Sequence, residues 1–212
     1  MKKYAIAAVA IALSSACFAQ TSVVSSANIV GYNKITCPAD EYVLVSLDFE
    51  GASNTVSSLF STLPQSSQVL IWDAGSQAYT TITKTRGGWG TAGTNTIDIG
   101  NGAFVKSPSA TNVFFAGDVP TATNSSISVV DGYAVVAFPY PADVAFTNTA
   151  LAKNASSGDK VSVWNNGWTT YSRTRGGWES ATTNLTIKVG QAVLFEAGAN
   201  ASATEVMPYS VD

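Results

Sequence analysis

The sequence predicts an all-β protein made of two tandem, sandwich-like antiparallel β units that are related by internal duplication, with one short helix in each unit. The phrase TRGGWGTAGTN at residues 85–95 returns as TRGGWESATTN at residues 174–184. The segments around both copies are rich in β-branched and aromatic residues, which favour strands. A phrase that returns within the same strand pattern indicates that one building unit occurs twice.

The repeated unit is about 90 residues long. Residues 41–49 (EYVLVSLDF) match residues 132–140 (GYAVVAFPY) at an offset of 91, and residues 96–107 match residues 186–197 at an offset of 90. Small shifts in offset are expected where loops gain or lose residues. Solenoid repeats are about 20–50 residues long, so each copy has instead the size of a small domain.

Residues 116–128 (AGDVPTATNSSIS) form the predicted joint between the units. Pro, Gly, Ser and Thr crowd this stretch and large apolar residues are few, which is typical of a loop. The predicted organisation is a signal peptide over residues 1–19, a first β repeat unit over 20–122 and a second over 123–212.

Residues 161–171 (VSVWNNGWTTY) are typical of a β-hairpin. With residues 165–167 as a three-residue loop, Gly167 takes the left-handed conformation and Trp164 faces Trp168. With residues 166–167 as a two-residue loop, that pairing is lost. We favour the first register, because an aromatic cross-strand pair stabilises a hairpin.

One helix is expected in each unit. Residues 55–65 (TVSSLFSTLPQ) place apolar side chains at i, i+3, i+4 and i+7, from Val56 to Leu63, which predicts about two helical turns before Pro64. Residues 145–157 (AFTNTALAKNASS) carry the same pattern more faintly in the second unit.

The first 19 residues, MKKYAIAAVAIALSSACFA, have the three parts of a secretory signal peptide. Two lysines precede an apolar run that is too short to span a bilayer, and small residues follow. We predict cleavage after Ala19 and a protein that is exported across the inner membrane to the periplasm, the cell surface or the extracellular space. An alternative reading of LSSAC is a lipoprotein processing site that leaves a lipidated Cys17.

The charge pattern argues against nucleic acid as a partner. Without Lys2 and Lys3, 9 of the 11 basic residues remain against 14 acidic residues, a net charge of −5, and no basic run occurs. Charged residues make up 12% of the chain, about half the usual ~25%, so Ser, Thr, Asn and Gly must form most of the polar surface.

The mature chain would keep only Cys37, for which we expect either a buried thiol or an intermolecular link.

The composition excludes several common kinds of catalysis. The chain has no histidine, which excludes Ser-His-Asp and Cys-His catalysis and His-containing zinc sites. It also has no phosphate-binding glycine loop. We therefore predict no catalytic, cofactor-binding or metal-binding residues, and a protein that is not an enzyme.

Duplicated aromatic clusters are the best candidates for ligand or partner contacts. Tryptophan, tyrosine and arginine recur at similar places in both copies, and Tyr79 lies 92 residues before Tyr171, as Trp72 does before Trp164. Three roles are open: filling the cores with Arg stacked on Trp, contacting a protein, or stacking on sugar rings. The candidate residues are Trp72, Tyr79, Arg86, Trp89, Trp164, Trp168, Tyr171, Arg175 and Trp178.

The stretch SANIVGYNKITCPADEYVLVSLDFEG, the turn GNGAFVKSP and the strand NVFFAGDVP resemble uncharacterised secreted β-repeat proteins of the planctomycete and verrucomicrobial group. The resemblance covers residues 27–120 and, more loosely, the second copy; it departs in lacking a Pro before Gly100. It implies an exported bacterial protein with a β fold and no established activity. The expected function is a non-enzymatic structural, assembly or interaction role in the cell envelope or extracellular space. The expected partners are the protein itself or other envelope proteins, and the alternative is a carbohydrate-binding module for extracellular glycans.

Overall fold

The computed structural model of the chain describes residues 29–210, so the predicted signal peptide and Cys17 lie outside the described residues. Within this range the fold is mostly strand, with two short α-helices and three 3-10 helices. Every pairing between its named strands is antiparallel. The predicted all-β, sandwich-like fold class is confirmed.

The strands before residue 120 are β1 (Val30–Cys37), β2 (Tyr42–Ser46), β3 (Gln68–Asp73), β4 (Ala78–Thr83), β5 (Gly102–Lys106) and β6 (Thr111–Asp118). Those after it are β7 (Asn124–Val129), β8 (Gly132–Ala137), β9 (Val144–Ala145), β10 (Lys160–Trp164), β11 (Trp168–Thr174), β12 (Gly177–Trp178), β13 (Thr186–Ile187), β14 (Ala192–Ala197) and β15 (Ala201–Val206). The helices are α1 (Val56–Leu59) and α2 (Ala150–Asn154), and the 3-10 helices are Thr91–Thr94, Phe146–Asn148 and Ser180–Asn184.

Each sheet draws its strands from one side of residues 119–123. The order is β2-β5-β3-β4 in the large sheet of the first half (residues 29–118), and β12-β11-β10-β14-β8 in that of the second half (residues 124–210). Smaller two-stranded ribbons pair β1 with β6, β7 with β15, and β9 with β13. The same scheme of a large sheet beside a ribbon therefore occurs in both halves.

The joint is shorter than residues 116–128, because both ends of that stretch are strand. Strand β6 runs to Asp118 and β7 starts at Asn124, so only five residues connect the halves. The serine-rich end joins a ribbon because Ile127 and Val129 alternate with its polar residues and are buried in the core of the second half. This period-2 burial outweighs the loop-like composition.

The hairpin β10–β11 forms with Trp164 opposite Trp168, as the three-residue loop predicts. Within the loop, however, the left-handed residue is Asn166 (φ 52°) rather than Gly167. Asparagine is one of the few residues besides glycine that visit this region readily, so the prediction for Gly167 was wrong without changing the register.

The predicted equivalence of Tyr79 and Tyr171 is wrong. Tyr79 pairs with Trp72 across the hairpin β3–β4, and it is Trp168 that pairs with Trp164 in the second half. The second hairpin has three fewer residues between its paired aromatics, so the offset changes from 92 before the loop to 89 after it. Trp168 is therefore the counterpart of Tyr79, and Tyr171 faces Val161 instead.

Each half contains one α-helix, as predicted, but α1 stops after four residues, at Leu59. Phe60 and Leu63 continue as turns and are nevertheless fully buried, so the apolar spacing indicated a core-facing segment more than a regular helix. A 3-10 helix follows each TRGGW phrase, over Thr91–Thr94 and Ser180–Asn184. These two elements were not predicted from the sequence.

Strands β2 and β8 of the two large sheets carry buried side chains on both faces. In β2, Val45 packs into the core of the first half, whereas Leu44 points the opposite way into a separate cluster. In β8, Val136 packs into the core of the second half, and Val135 points into the same separate cluster as Leu44. The two large sheets thus pack against each other, and this contact surface is called the junction below.

Candidate functional site

Two tryptophan side chains hold the junction together by reciprocal hydrogen bonds. Trp72 Nε1 donates to the Tyr133 carbonyl at 2.8 Å, and Trp164 Nε1 donates to the Tyr42 carbonyl at 2.7 Å. The two donors occupy equivalent positions in their halves, and so do the two acceptors. Each half therefore gives the other the same bond that it receives.

Two backbone hydrogen bonds repeat this reciprocity. The Ser46 N–H donates to the Gly190 carbonyl at 2.9 Å, and the Ala137 N–H donates to the Gly100 carbonyl at 2.8 Å. Ser46 and Ala137 are equivalent residues at an offset of 91, and Gly100 and Gly190 are equivalent at 90. The junction thus has the geometry of an isologous contact, in which the same patch is used on both sides of an approximate two-fold axis.

The approximate axis passes near Gly102 and Ala192, which are equivalent residues that face each other. A Cβ atom at Gly102 would overlap the Ala192 Cβ and would lie 2.7 Å from the Val45 carbonyl oxygen. Only one of the two facing positions can carry a methyl group at this spacing. The symmetry of the junction is therefore broken at its centre.

An aromatic cluster covers one side of the junction and brings four of the predicted site residues together. Phe104, which was not among the predicted site residues, lies at its centre. Its ring centroid is 5.2–6.0 Å from those of Tyr42, Tyr79, Trp164 and Trp168. Trp72 packs on Tyr79 at 4.7 Å. Tyr79 and Trp168 keep 36% and 40% of their surface exposed, so one ring from each half reaches solvent here.

Trp89 and Trp178 lie away from this cluster, in the cores of their own halves. Trp89 is 6% exposed, and its Nε1 donates to the Phe60 carbonyl at 3.2 Å. Trp178 is half-buried, and its Nε1 donates to the Ala152 carbonyl at 2.9 Å. Both indoles therefore donate to a carbonyl in or just after the helix of their half.

Arg86 and Arg175 do not stack on these tryptophans. Each occupies the outer corner of the tight turn formed by the TRGGW phrase, and both side chains are exposed. The cations over the rings are those two residues earlier: Lys84 Nζ is 5.7 Å from the Trp89 ring centroid, and the Arg173 guanidinium is 5.9 Å from that of Trp178. The predicted cation–π arrangement occurs, but with different cations, because the turn directs its central residues to solvent.

Two clefts flank the approximate axis, and they differ greatly in size. The larger encloses about 920 Å³ and the smaller about 170 Å³. Equivalent residues line both, for example Trp164 and Gln191 in the large cleft, and Trp72 and Asn101 in the small one. The two-fold arrangement therefore produces one open cleft and one nearly closed counterpart.

The large cleft is rich in neutral hydrogen-bonding groups. Five amide side chains line it: Asn33, Asn165, Asn166, Asn184 and Gln191. Three aromatic residues, Tyr42, Trp164 and Tyr171, contribute to its walls. Tyr171 therefore lies in this cleft and not in the aromatic cluster. Asn165 and Asn166 share the NNG loop, but the other three amides come from separate parts of the chain, so no sequence motif grouped all five.

Asp48 is a buried carboxylate at the junction. Its oxygens accept from the Ser46 hydroxyl at 2.6 Å and from the Gly190 N–H of the other half. Burial raises the pKa of this carboxyl to about 6, although both hydrogen bonds lower it in part. The equivalent residue in the second half is Pro139, so this ionisable contact between halves occurs once.

Three further features can be described within residues 29–210: the Cys37 thiol, the grouping of metal-ligating side chains and the length of apolar helices. Cys37 is a free, fully buried thiol, and burial raises its pKa. Across residues 29–210, no three His, Cys, Asp or Glu side chains come close enough together to hold a metal ion. No helix in the same range is long and apolar enough to cross a membrane.

Comparison with protein-family models, with curated proteins and with solved structures gave no match for this chain. The resemblance to secreted planctomycete and verrucomicrobial β-repeat proteins therefore stays a prediction.

Proposed function

We propose that the protein is exported from the cell and binds a neutral oligosaccharide, without catalysis, in the large cleft between its halves. The observation that carries this proposal is the wall of amide and aromatic side chains around about 920 Å³. Binding clefts for small molecules usually measure about 300–1,000 Å³. The cleft is thus wide enough for several sugar rings.

The chemistry of the cleft suits hydroxyl groups. A primary amide offers two N–H donors and one carbonyl acceptor, and a sugar hydroxyl can both donate and accept. Indole and phenol rings can pack against the apolar faces of sugar rings, as Trp164 and Tyr171 are placed to do. Two lysines and one glutamate, Lys34, Lys188 and Glu41, are the charged residues in the lining, so the charge on the walls is small.

The lining also supports binding over hydrolysis. Glycoside hydrolysis in most families uses a pair of carboxyl groups on either side of the scissile bond. Among the described residues that line the large cleft, Glu41 is the single carboxylate. A ligand held there would meet hydrogen-bonding groups and aromatic faces without an acid–base pair.

Glycan binding is tested by an array of neutral oligosaccharides, followed by titration of the tightest ligand. Asn165→Ala and Asn184→Ala should each weaken binding about fivefold, because each removes a hydrogen bond of about 1 kcal/mol. Both amides are exposed and free of hydrogen bonds to other described residues, so folding should be unaffected. Asn101→Ala, in the small cleft, is the matched control and should bind normally. Absence of binding to any glycan, or equal losses in all three variants, would refute the proposal.

A structural or assembly role in the envelope is a second candidate, favoured by an exposed apolar face. On the ribbon β1–β6, Val30, Tyr32 and Phe114 are 69%, 76% and 56% exposed on the same side. A contiguous apolar patch on a sheet face is a common feature of protein contacts. Self-association in sedimentation experiments, together with a negative glycan array, would favour this role.

A further inference from the structure

We propose that two copies of this chain exchange halves, so that the first half of one copy packs against the second half of the other through the same junction. This inference goes beyond glycan binding and does not depend on it. It rests on the isologous geometry of the junction, on the way the sheets divide, and on the hinge between the halves.

The partner follows from the reciprocal bonds. The first half offers the Trp72 indole and the Tyr42 carbonyl, and the second half offers the equivalent Trp164 indole and Tyr133 carbonyl. The second half of any other copy carries the same groups in the same places. A second copy of this chain is therefore as complementary to an opened first half as its own second half is.

Opening the molecule leaves every sheet intact. No sheet in residues 29–210 contains strands from both halves. Separation therefore breaks junction contacts, nine hydrogen bonds between the described halves, and one isolated bridge between Asn101 and Val136. Each half also keeps a core of its own, around Phe60 and Phe115 in the first and around Phe146 and Phe195 in the second. Exchange thus requires a change in the hinge, without refolding of strands.

The hinge is residues 119–123, and two tyrosine side chains hold it. The Tyr209 hydroxyl donates to the Pro120 carbonyl at 3.1 Å, and the Tyr140 hydroxyl donates to the Ala122 carbonyl at 2.9 Å. Proline restricts the preceding residue to extended conformations, which also suit an opened chain. The two tyrosine hydrogen bonds therefore favour the closed molecule, and their loss should favour exchange.

Mass action decides between the two forms. An exchanged pair contains two junctions, as two closed molecules do, so the junction contacts cancel in the comparison. The free-energy difference between the exchanged pair and two closed molecules then consists of the entropy lost on association and the difference in hinge energy. Exchange is a low-cost route to dimers for this reason, and it should increase with protein concentration.

The test uses a contact that spans the halves. The Asn166 amide donates to the Glu41 carboxylate at 3.1 Å, and both side chains are exposed. One population of the mature chain carries Glu41→Cys and another carries Asn166→Cys. They are mixed at high concentration, partly unfolded and refolded together, then treated with a short bis-maleimide. Cys37 is fully buried and should not react in the folded protein.

We expect a crosslinked pair that joins position 41 of one copy to position 166 of the other. Thr62→Cys replaces Glu41→Cys in the control, because Thr62 lies in a cleft lined entirely by first-half residues. Removing the hinge bonds with Tyr140→Phe and Tyr209→Phe should raise the yield of the 41–166 crosslink. A yield no higher than the Thr62 control, or one unchanged by hinge release in variants with native circular dichroism, would overturn the proposal.

Discussion

The two halves of the molecule share a frame but fill equivalent positions with different chemistry. In the first half, Phe115 packs its ring on Phe60 with centroids 5.7 Å apart. The equivalent residue in the second half is Glu205, which is 3% exposed and accepts from the N–H groups of Ala150 and Leu151 at 2.8 and 2.9 Å. The same position therefore carries an aromatic ring that fills the core in the first half. In the second half it carries a carboxylate that accepts hydrogen bonds from the N–H groups in the first turn of α2. The backbone frame is fixed by strand pairing, and the side chains that stabilise it are free to diverge.

The largest expected difference between the halves is in the free energy of unfolding that is lost when the duplicated tryptophans Trp89 and Trp178 are truncated. Trp89→Ala should lower the free energy of unfolding by about 3–5 kcal/mol, as truncation of a buried Trp commonly does. Trp178→Ala should cost less, because Trp178 is only half-buried and its removal empties a smaller part of the core. Urea unfolding followed by circular dichroism measures both, without relying on the fluorescence of the residues removed.

Trp168→Ala is the control for this comparison, since Trp168 is 40% exposed and lies in the aromatic cluster at the junction. Its cost should be well below that of Trp89→Ala. If Trp89→Ala and Trp178→Ala left the unfolding midpoint unchanged, the core role of both indoles would be wrong. Equal large losses would instead show that Trp178 is as important to its core as Trp89.

The sequence was informative where its patterns are local. Alternating apolar residues, the NNG loop and the repeated TRGGW turn each depend on neighbours in the chain, and the strands, the hairpin register and the turns follow from them. The predicted counterpart of Tyr79 was wrong because a single offset of 92 was applied on both sides of the hairpin loop. That offset does not account for the three residues by which the two loops differ in length. The predicted length of helix α1 was too great, because apolar side chains at this spacing can be buried from turns as well as from a helix.

The junction could not be derived from local pattern alone. It joins Trp72 to Tyr133 and Trp164 to Tyr42, residues far apart in the chain. Their recurrence in both copies does not indicate which of them are in contact. One sign of it was present: residues 42–47 and 133–138 are almost continuously apolar, as expected for strands that are covered on both faces. The amides of the large cleft left no comparable sign, because isolated Asn and Gln residues are also common in exposed loops.

A second difference between the halves is the ionisable contact at Asp48, where the second half has Pro139. The pKa of Asp48 is about 6 in the folded protein, against 3.8 for an exposed aspartate, so folding favours its protonated form. The stability associated with that protonation is present below pH 4 and is lost as the pH rises through 6. The free energy of unfolding should therefore fall by up to about 3 kcal/mol across this range.

Asp48→Asn should flatten this dependence, because the amide stays neutral at every pH and can still accept from the Gly190 N–H. Unfolding curves at intervals between pH 4 and pH 7 provide the measurement. Asp131→Asn is the control, since Asp131 is exposed and should keep the slope of the parent protein. A parent protein whose stability rises steadily from pH 4 to pH 7, with Asp48→Asn behaving identically, would contradict the role given to Asp48.

The smallest expected difference concerns the two reciprocal tryptophan bonds. Trp72→Phe and Trp164→Phe each keep an aromatic ring and remove one N–H donor, at a cost of about 1 kcal/mol. The losses should not be equal, because the Tyr133 carbonyl also accepts from Gln77 Nε2 at 3.0 Å and stays bonded when Trp72 is replaced. Within residues 29–210 the Tyr42 carbonyl has no second side-chain donor, so Trp164→Phe should destabilise more than Trp72→Phe.

Trp168→Phe, which removes an indole N–H that bonds to no described residue, should change the free energy of unfolding least. If Trp72→Phe proved the more costly of the two, the Gln77 bond would not be compensating for the lost indole, and the two sides of the junction would differ in a way that this pair of contacts does not explain.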